Sequence, residues 1–243
     1  MANLFEPEYS VKETVRRKYD AIAKGERESG YCMLEDSDYG DQSGYQVDAD
    51  LGLGCGTPVD FADLKLGEAV LDLGSGAGLD AMIASPIVGD KGKVIGVDFA
   101  PEMIAKARKN IAEIVLDNIS FIEGDIEQLP IEDSSIDVVI SNCTLNLVPD
   151  KAKAFSEVFR VLRPGGRFAI SDVVTVGPRN SLIIQEIEQI AGCAAGVAEM
   201  EVYLRLISDI GFKRVRLVTM RMLKIVHEHD GFVSLTICGK RPF

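Results

Sequence analysis

The chain has 243 residues, 47% of them hydrophobic, with 26 Lys and Arg against 38 Asp and Glu, a formal net charge of −12. That length and apolar content suit a single domain built on one sizeable core. So acidic a chain argues against a nucleic-acid partner, which needs clustered Lys and Arg, and no apolar run nears the ~20 residues of a membrane span.

Residues 1–7 carry neither a basic region nor an apolar stretch, so no signal peptide is expected. The five cysteines, Cys32, Cys55, Cys143, Cys193 and Cys238, are odd in number and widely spaced. They read as reduced thiols of a cytoplasmic protein, and the absence of any C-x-x-C pair makes a closed zinc site unexpected. His227 and His229 have no third ligand and read as surface residues.

In chain order, Val11, Val15, Tyr19 and Ile22 recur at helical spacing and predict an amphipathic helix over about 10–24. Residues 25–57 are rich in Gly, Asp, Ser and Tyr, and a loop this long in a compact enzyme tends to be functional or poorly ordered. It ends in Gly52-Leu53-Gly54-Cys55-Gly56-Thr57-Pro58, whose glycines leave the Cys55 thiol on exposed backbone before a short helix at about 58–63. Val70 to Leu73 is a short apolar strand broken only by Asp72. It runs into the glycine loop Gly74-Ser75-Gly76-Ala77-Gly78, and a helix follows from Leu79 to Ile87.

Alternation then continues. Lys93 to Val97 is a strand closed by Asp98, and Pro101 starts a helix reaching about Leu116. Ile119 to Glu123 is a strand closed by Gly124-Asp125-Ile126. Ile136 to Ser141 is an apolar strand ending at Asn142-Cys143. A helix from Lys151 to Leu162, a turn at Arg163-Pro164-Gly165-Gly166 and a strand from Arg167 to Ser171, extended by Asp172 to Val174, come next. Helices from Leu182 to about Cys193 and from Glu199 to Ile210 are expected, the second stopped by Gly211. Strands Lys213–Val218 and Phe232–Cys238 close the chain. This is the pattern of a doubly wound α/β sheet, where a ligand lies at the carboxyl ends of the strands.

Gly74, Gly76 and Gly78 give G-x-G-x-G rather than the dinucleotide-binding G-x-G-x-x-G. Asp98, at the end of the second strand, can accept hydrogen bonds from both hydroxyls of a ribose. Glycine loop, Asp98 and Gly124-Asp125 together resemble the class I S-adenosylmethionine-dependent methyltransferases. The resemblance implies a seven-stranded Rossmann-like sheet with an antiparallel edge strand at Phe232–Cys238, and S-adenosylmethionine as cofactor. The amides of Gly74, Ser75, Gly76 and Gly78 would then hold the methionyl carboxylate, Asp72 its ammonium, Asp98 the ribose diol and Asp125 the adenine amine. Met103 and Ile126 would sandwich the ring, with Phe99 and Asn142 completing the pocket.

Three further motifs are narrower. Gly52-Leu53-Gly54-Cys55-Gly56-Thr57-Pro58, Ser141-Asn142-Cys143-Thr144-Leu145-Asn146-Leu147 and Ala191-Gly192-Cys193 resemble the arsenite methyltransferases, as do Gly96-Val97-Asp98, Pro101-Glu102-Met103-Ile104 and Leu162-Arg163-Pro164-Gly165-Gly166. The resemblance implies arsenite, or its thiol conjugates, as the small-molecule substrate, with Cys55, Cys143 and Cys193 as its three ligands. It also implies a thiol reductant, thioredoxin or glutathione, as partner. Trivalent arsenic is soft and prefers thiolates to oxygen or nitrogen. In this reading residues 1–243 form one methyltransferase domain, with 1–57 an N-terminal helix and substrate or lid segment and 175–210 a helical insertion. The competing reading is a quinone or natural-product methyltransferase, which would bring a general base near the fourth strand; Asn142-Cys143 offers none. Cys238, within Leu235-Thr236-Ile237-Cys238, reads as core.

Overall fold

The computed structural model describes residues 10–26, 39, 42–114, 116–177, 197–223 and 231–243. The helix expected over Leu182–Cys193 lies outside these residues, and so do Cys193, Cys32, His227 and His229. Among the described residues no helix is long and apolar enough to cross a membrane.

Strands β1 (Ala69–Leu73), β2 (Lys93–Asp98), β3 (Ile119–Glu123), β4 (Ile136–Asn142), β5 (Leu162–Thr175), β6 (Lys213–Met222) and β7 (Phe232–Lys240) form one sheet. Their order is β3-β2-β1-β4-β5-β7-β6. The first five are parallel, and β7 runs antiparallel to both β5 and β6. Helices α1 (Val11–Ala23), α2 (Pro58–Phe61), α3 (Leu79–Val88), α4 (Pro101–Ala112), α5 (Lys151–Val161) and α6 (Met200–Ile210), with a short 3-10 helix at Leu145–Leu147, complete the described elements.

The central strands are apolar because helices cover both faces. Alternate side chains leave β1 on opposite sides. Leu71 and Leu73 join Phe155 and Val158 of α5 and Tyr203 and Ile207 of α6, while Val70 joins Met82 and Ile83 of α3 and Ile104 of α4. Phe155 has no exposed surface and meets the Tyr203 ring edge-on at 5.4 Å. Truncating it to alanine would cost about 3–5 kcal/mol. Cys238 is buried in the face that holds α3, as expected of a core thiol, and burial pushes its pKa up.

Two details differ from the sequence reading. Arg163 to Gly166 is not a turn preceding β5 but a kink inside it. Ile136 pairs with Leu162, and the next pair, Val138 with Arg167, skips the residues between. Proline cannot donate to a ladder, and Gly165, at φ +81°, takes the left-handed bend. The antiparallel strand β7 lies one position in from the rim, and β6 is the rim itself.

α1 lies across the carboxyl ends of the strands. Ser10 caps it by accepting the Glu13 amide. Its Asp20 in turn accepts the Glu102 amide in the first turn of α4 at 3.0 Å, and Lys24 pairs with Glu102 at 3.1 Å.

Candidate active site

The carboxyl ends of β1, β2 and β4 open into a pocket of about 1380 Å³, counted to its open mouth. The expected residues Gly74, Ser75, Gly76, Asp98, Phe99, Met103, Asp125, Ile126, Asn142, Cys55 and Cys143 all line it. Asp72 and Gly78 do not.

The glycine loop is used differently from expectation. The amides of Gly74 and Ser75 both donate to the Val97 carbonyl at 2.8 and 3.1 Å, and that of Gly78 to the Ser75 carbonyl at 2.8 Å. The Gly76 amide donates to Asp98 Oδ2 at 2.9 Å. The loop is stitched to the end of β2, and these amides are not available to a carboxylate; among the loop amides only that of Ala77 has no partner among the described residues. Gly74 is required sterically, for at φ +67° a Cβ would collide with the Thr144 side chain. Gly78, at φ +95°, opens α3 with its hydrogen against Phe121 rather than the pocket.

Asp98 is nearly buried and accepts the amides of Gly76 and Ala100, both at 2.9 Å. Burial raises its pKa, and those amides with that of Phe99 hold the rise back. A carboxylate has about four acceptor sites, so capacity remains toward the pocket.

Asp72 points the other way, beneath the loop toward α3. It receives the Ala81 amide, and its Oδ2 is buried without a hydrogen bond among the described residues. Desolvation, with the charges of Asp80 and Asp98, holds its pKa well above the usual carboxylate range. The carboxylate that faces the pocket from this side is Asp80, in the first turn of α3. Burial lifts it to about 6 against hydrogen bonds from Tyr39 at 2.7 Å and Asn142 at 3.2 Å. Sequence reasoning missed Asp80. An acid early in a helix is explained by the helix dipole alone, and only its burial marks it out.

Asp125 bonds to Lys12 of α1 at 2.6 Å, and Lys12 also reaches Glu127 at 2.7 Å. Desolvation pushes the Asp125 carboxyl up but is outweighed by hydrogen bonds from Lys12 and the Glu127 amide, so its pKa falls below the usual value. Met103 and Ile126 are buried apolar walls of the same end.

At the far end stand the two described pocket cysteines, neither of them in a disulfide. Cys143 follows β4 at φ +56°, a left-handed conformation costly for a residue with a Cβ. Its amide donates to the Ser171 carbonyl at 2.8 Å. Cys55 is buried, not on exposed backbone. The glycines around it permit close approach instead. A Cβ on Gly54 would stand 2.9 Å from Asn142 Nδ2, and one on Gly56 2.6 Å from Ser171 Oγ. Arg221 of β6 also lines the pocket, unforeseen because only the sheet order brings β6 there.

Two buried carboxylates, Asp80 and Asp98, thus line the pocket, while Asp72 lies behind them beneath the glycine loop. They fit a cationic sulfonium ligand with an ammonium group, and Ser75 Oγ, buried without a hydrogen bond among the described residues, is a free polar atom beside it.

The methyltransferase-domain family matches residues 64–216. The arsenite methyltransferase of Halobacterium salinarum is 42% identical over 96% of this chain and 67% of its own length. The human arsenite methyltransferase is 37% identical over 64% of this chain, which spans 44% of it. The structure of an arsenic(III) S-adenosylmethionine methyltransferase from Chlamydomonas reinhardtii superimposes with a TM-score of 0.65 at 28% identity, over 98% of this chain and 75% of that one. Glycine loop stitched to Asp98, two buried carboxylates and two cysteines in one pocket agree with these likenesses, and the chain belongs to the arsenite methyltransferase family of class I S-adenosylmethionine-dependent methyltransferases.

Proposed function

We propose that the protein methylates trivalent arsenic held by the thiolates of Cys55, Cys143 and Cys193. The observation that carries this reading is that Cys55 and Cys143, far apart in sequence and neither in a disulfide, line the same pocket as Asp98 and the glycine loop. Thiolates, not thiols, bind soft ions, and three of them leave arsenic(III) a lone pair as nucleophile. The cofactor, when bound, supplies a methyl group on a cationic sulfur, a good leaving group. Asp98 would take the ribose hydroxyls, Asp80 the ammonium, and Met103 and Ile126 the adenine faces. None of these roles moves a proton; the chain aligns two reactants in one pocket. Repeated turnover calls for a thiol reductant such as thioredoxin or glutathione, which suits a reducing compartment such as the cytoplasm.

The test is incubation with labelled cofactor, arsenite and a thiol reductant, with X-ray absorption of the arsenite complex alongside. Labelled methylarsenicals and three sulfur neighbours are expected. Serine at Cys143 or Cys193 should abolish methylation while cofactor binding survives, and serine at Cys238 should leave it nearly intact. Wild-type rates in the Cys143 and Cys193 variants would sink the three-thiolate site.

A further inference from the structure

Asn142 ends β4 next to Cys143, inside the pocket, where a cofactor contact was the expectation. Its side chain is instead spent on the other cysteine. Oδ1 accepts the amide of Cys55 at 2.9 Å, and Nδ2 donates to the carbonyl of Gly56 at 2.7 Å. The same nitrogen lies 2.7 Å from the Tyr39 hydroxyl and 3.2 Å from Asp80 Oδ2, and Tyr39 donates to Asp80 Oδ1. On the other side of Cys55, its carbonyl accepts from the Ser234 hydroxyl of β7. Both peptide groups of Cys55 are therefore pinned by side chains from strands remote in sequence, while Gly54 leaves no room for a Cβ against Asn142.

We infer that Asn142 is a positioning residue that latches the Cys55 loop shut over the pocket, with Tyr39 and Asp80 holding the latch in orientation. Only a carboxamide offers an acceptor and two donors in one plane at this size. Aspartate is the same shape but cannot donate, and it would set a second carboxylate beside Asp80. The inference deepens the proposed function, since it gives Asn142 to the arsenic-binding side of the site rather than the cofactor side.

The test is pulse alkylation with iodoacetamide, each cysteine read by mass spectrometry, with calorimetric titration of S-adenosylhomocysteine and of arsenite. In Asn142→Ala and in the isosteric Asn142→Asp, Cys55 should be labelled at least ~10-fold faster than in wild type, the loss of about two net hydrogen bonds. Labelling of Cys238 should not change, which separates a released loop from a loosened fold. Tyr39→Phe should release Cys55 less, and affinity for S-adenosylhomocysteine should fall by less than ~10-fold in all three variants, since each removes one donor to Asp80 and leaves its carboxylate in place. Cys55 labelling within twofold of wild type in Asn142→Asp overturns the inference. So does a fall of more than ~10-fold in S-adenosylhomocysteine affinity with Cys55 still protected, which would return Asn142 to the cofactor. Faster Cys55 labelling with arsenite affinity unchanged upholds the latch and removes Cys55 from the arsenic site.

Discussion

Replacing Asp98 by alanine separates cofactor binding from folding. In the native chain its carboxylate receives the amides of Gly76 and Ala100, both at 2.9 Å, and keeps acceptor capacity toward the pocket. Two ligand hydroxyls losing a charged acceptor weaken binding by about 2–3 kcal/mol, a ~30–150-fold rise in Kd. Stability feels two opposing effects. The two amides lose a partner at about 1 kcal/mol each, but a carboxylate whose pKa burial has raised no longer has to be desolvated. The net change in Tm should stay below about 4 °C for a domain of this size. Calorimetry with S-adenosylhomocysteine and a thermal melt measure the two quantities. Affinity within threefold of wild type would mean that the ribose does not sit at the end of β2.

Gly74→Ala should cost about 2–4 kcal/mol in a denaturant titration, from left-handed strain plus the collision with Thr144, and cofactor binding should fall with it. Asp172 is fully buried against the Tyr203 hydroxyl at 2.9 Å, and desolvation lifts it to about 7. A raised carboxyl contributes stability that is present below the ordinary carboxylate range and lost as pH rises through about 7. Asp172→Asn should therefore gain about 2 kcal/mol on wild type between about pH 5.5 and pH 8, roughly 4–8 °C in Tm, and a pH-independent difference would refute it. Lys12→Gln should lower stability by less than ~1 kcal/mol, and the difference should shrink in ~0.5 M salt, because both partners of the ion pair with Asp125 are more than a third exposed.

The sheet was legible because parallel strands buried on both faces read as apolar runs. Val70–Leu73, Lys93–Val97 and Ile136–Ser141 could hardly be anything else once a glycine loop followed the first. The kink at Arg163–Gly166 was not, since Pro-Gly-Gly marks a bend but not whether pairing with β4 resumes beyond it. Asp98 was legible from its place at a strand end. Asp72 misled because a polar residue in a strand signals burial, not the face it takes, and here that face belongs to α3. Glycine spacing shows that a loop is tight. It does not show whether the loop's amides point at a ligand or at the neighbouring strand, and here they close on Val97 and Asp98. The latch on Cys55 was beyond reach, since its bonds join Asn142 to Tyr39, Cys55 and Gly56 across most of the chain's N-terminal half.

The sheet order β5-β7-β6 also sets a sequence of assembly. β6 is synthesised first but lies outside β7, so it has no strand to pair with until residues 232–240 have emerged. The same late strand carries Ser234, which holds the Cys55 carbonyl. On a ribosome adding about 5–20 residues per second, the half of the sheet that carries the glycine loop and Asp98 can form while the Cys55 loop is held only from the β4 side, by Asn142. A nascent chain would thus shape the pocket at the ends of β1, β2 and β4 before the Cys55 loop gains its second fastening, and during that interval Cys55 would be more open to a passing reagent than it is in the finished fold.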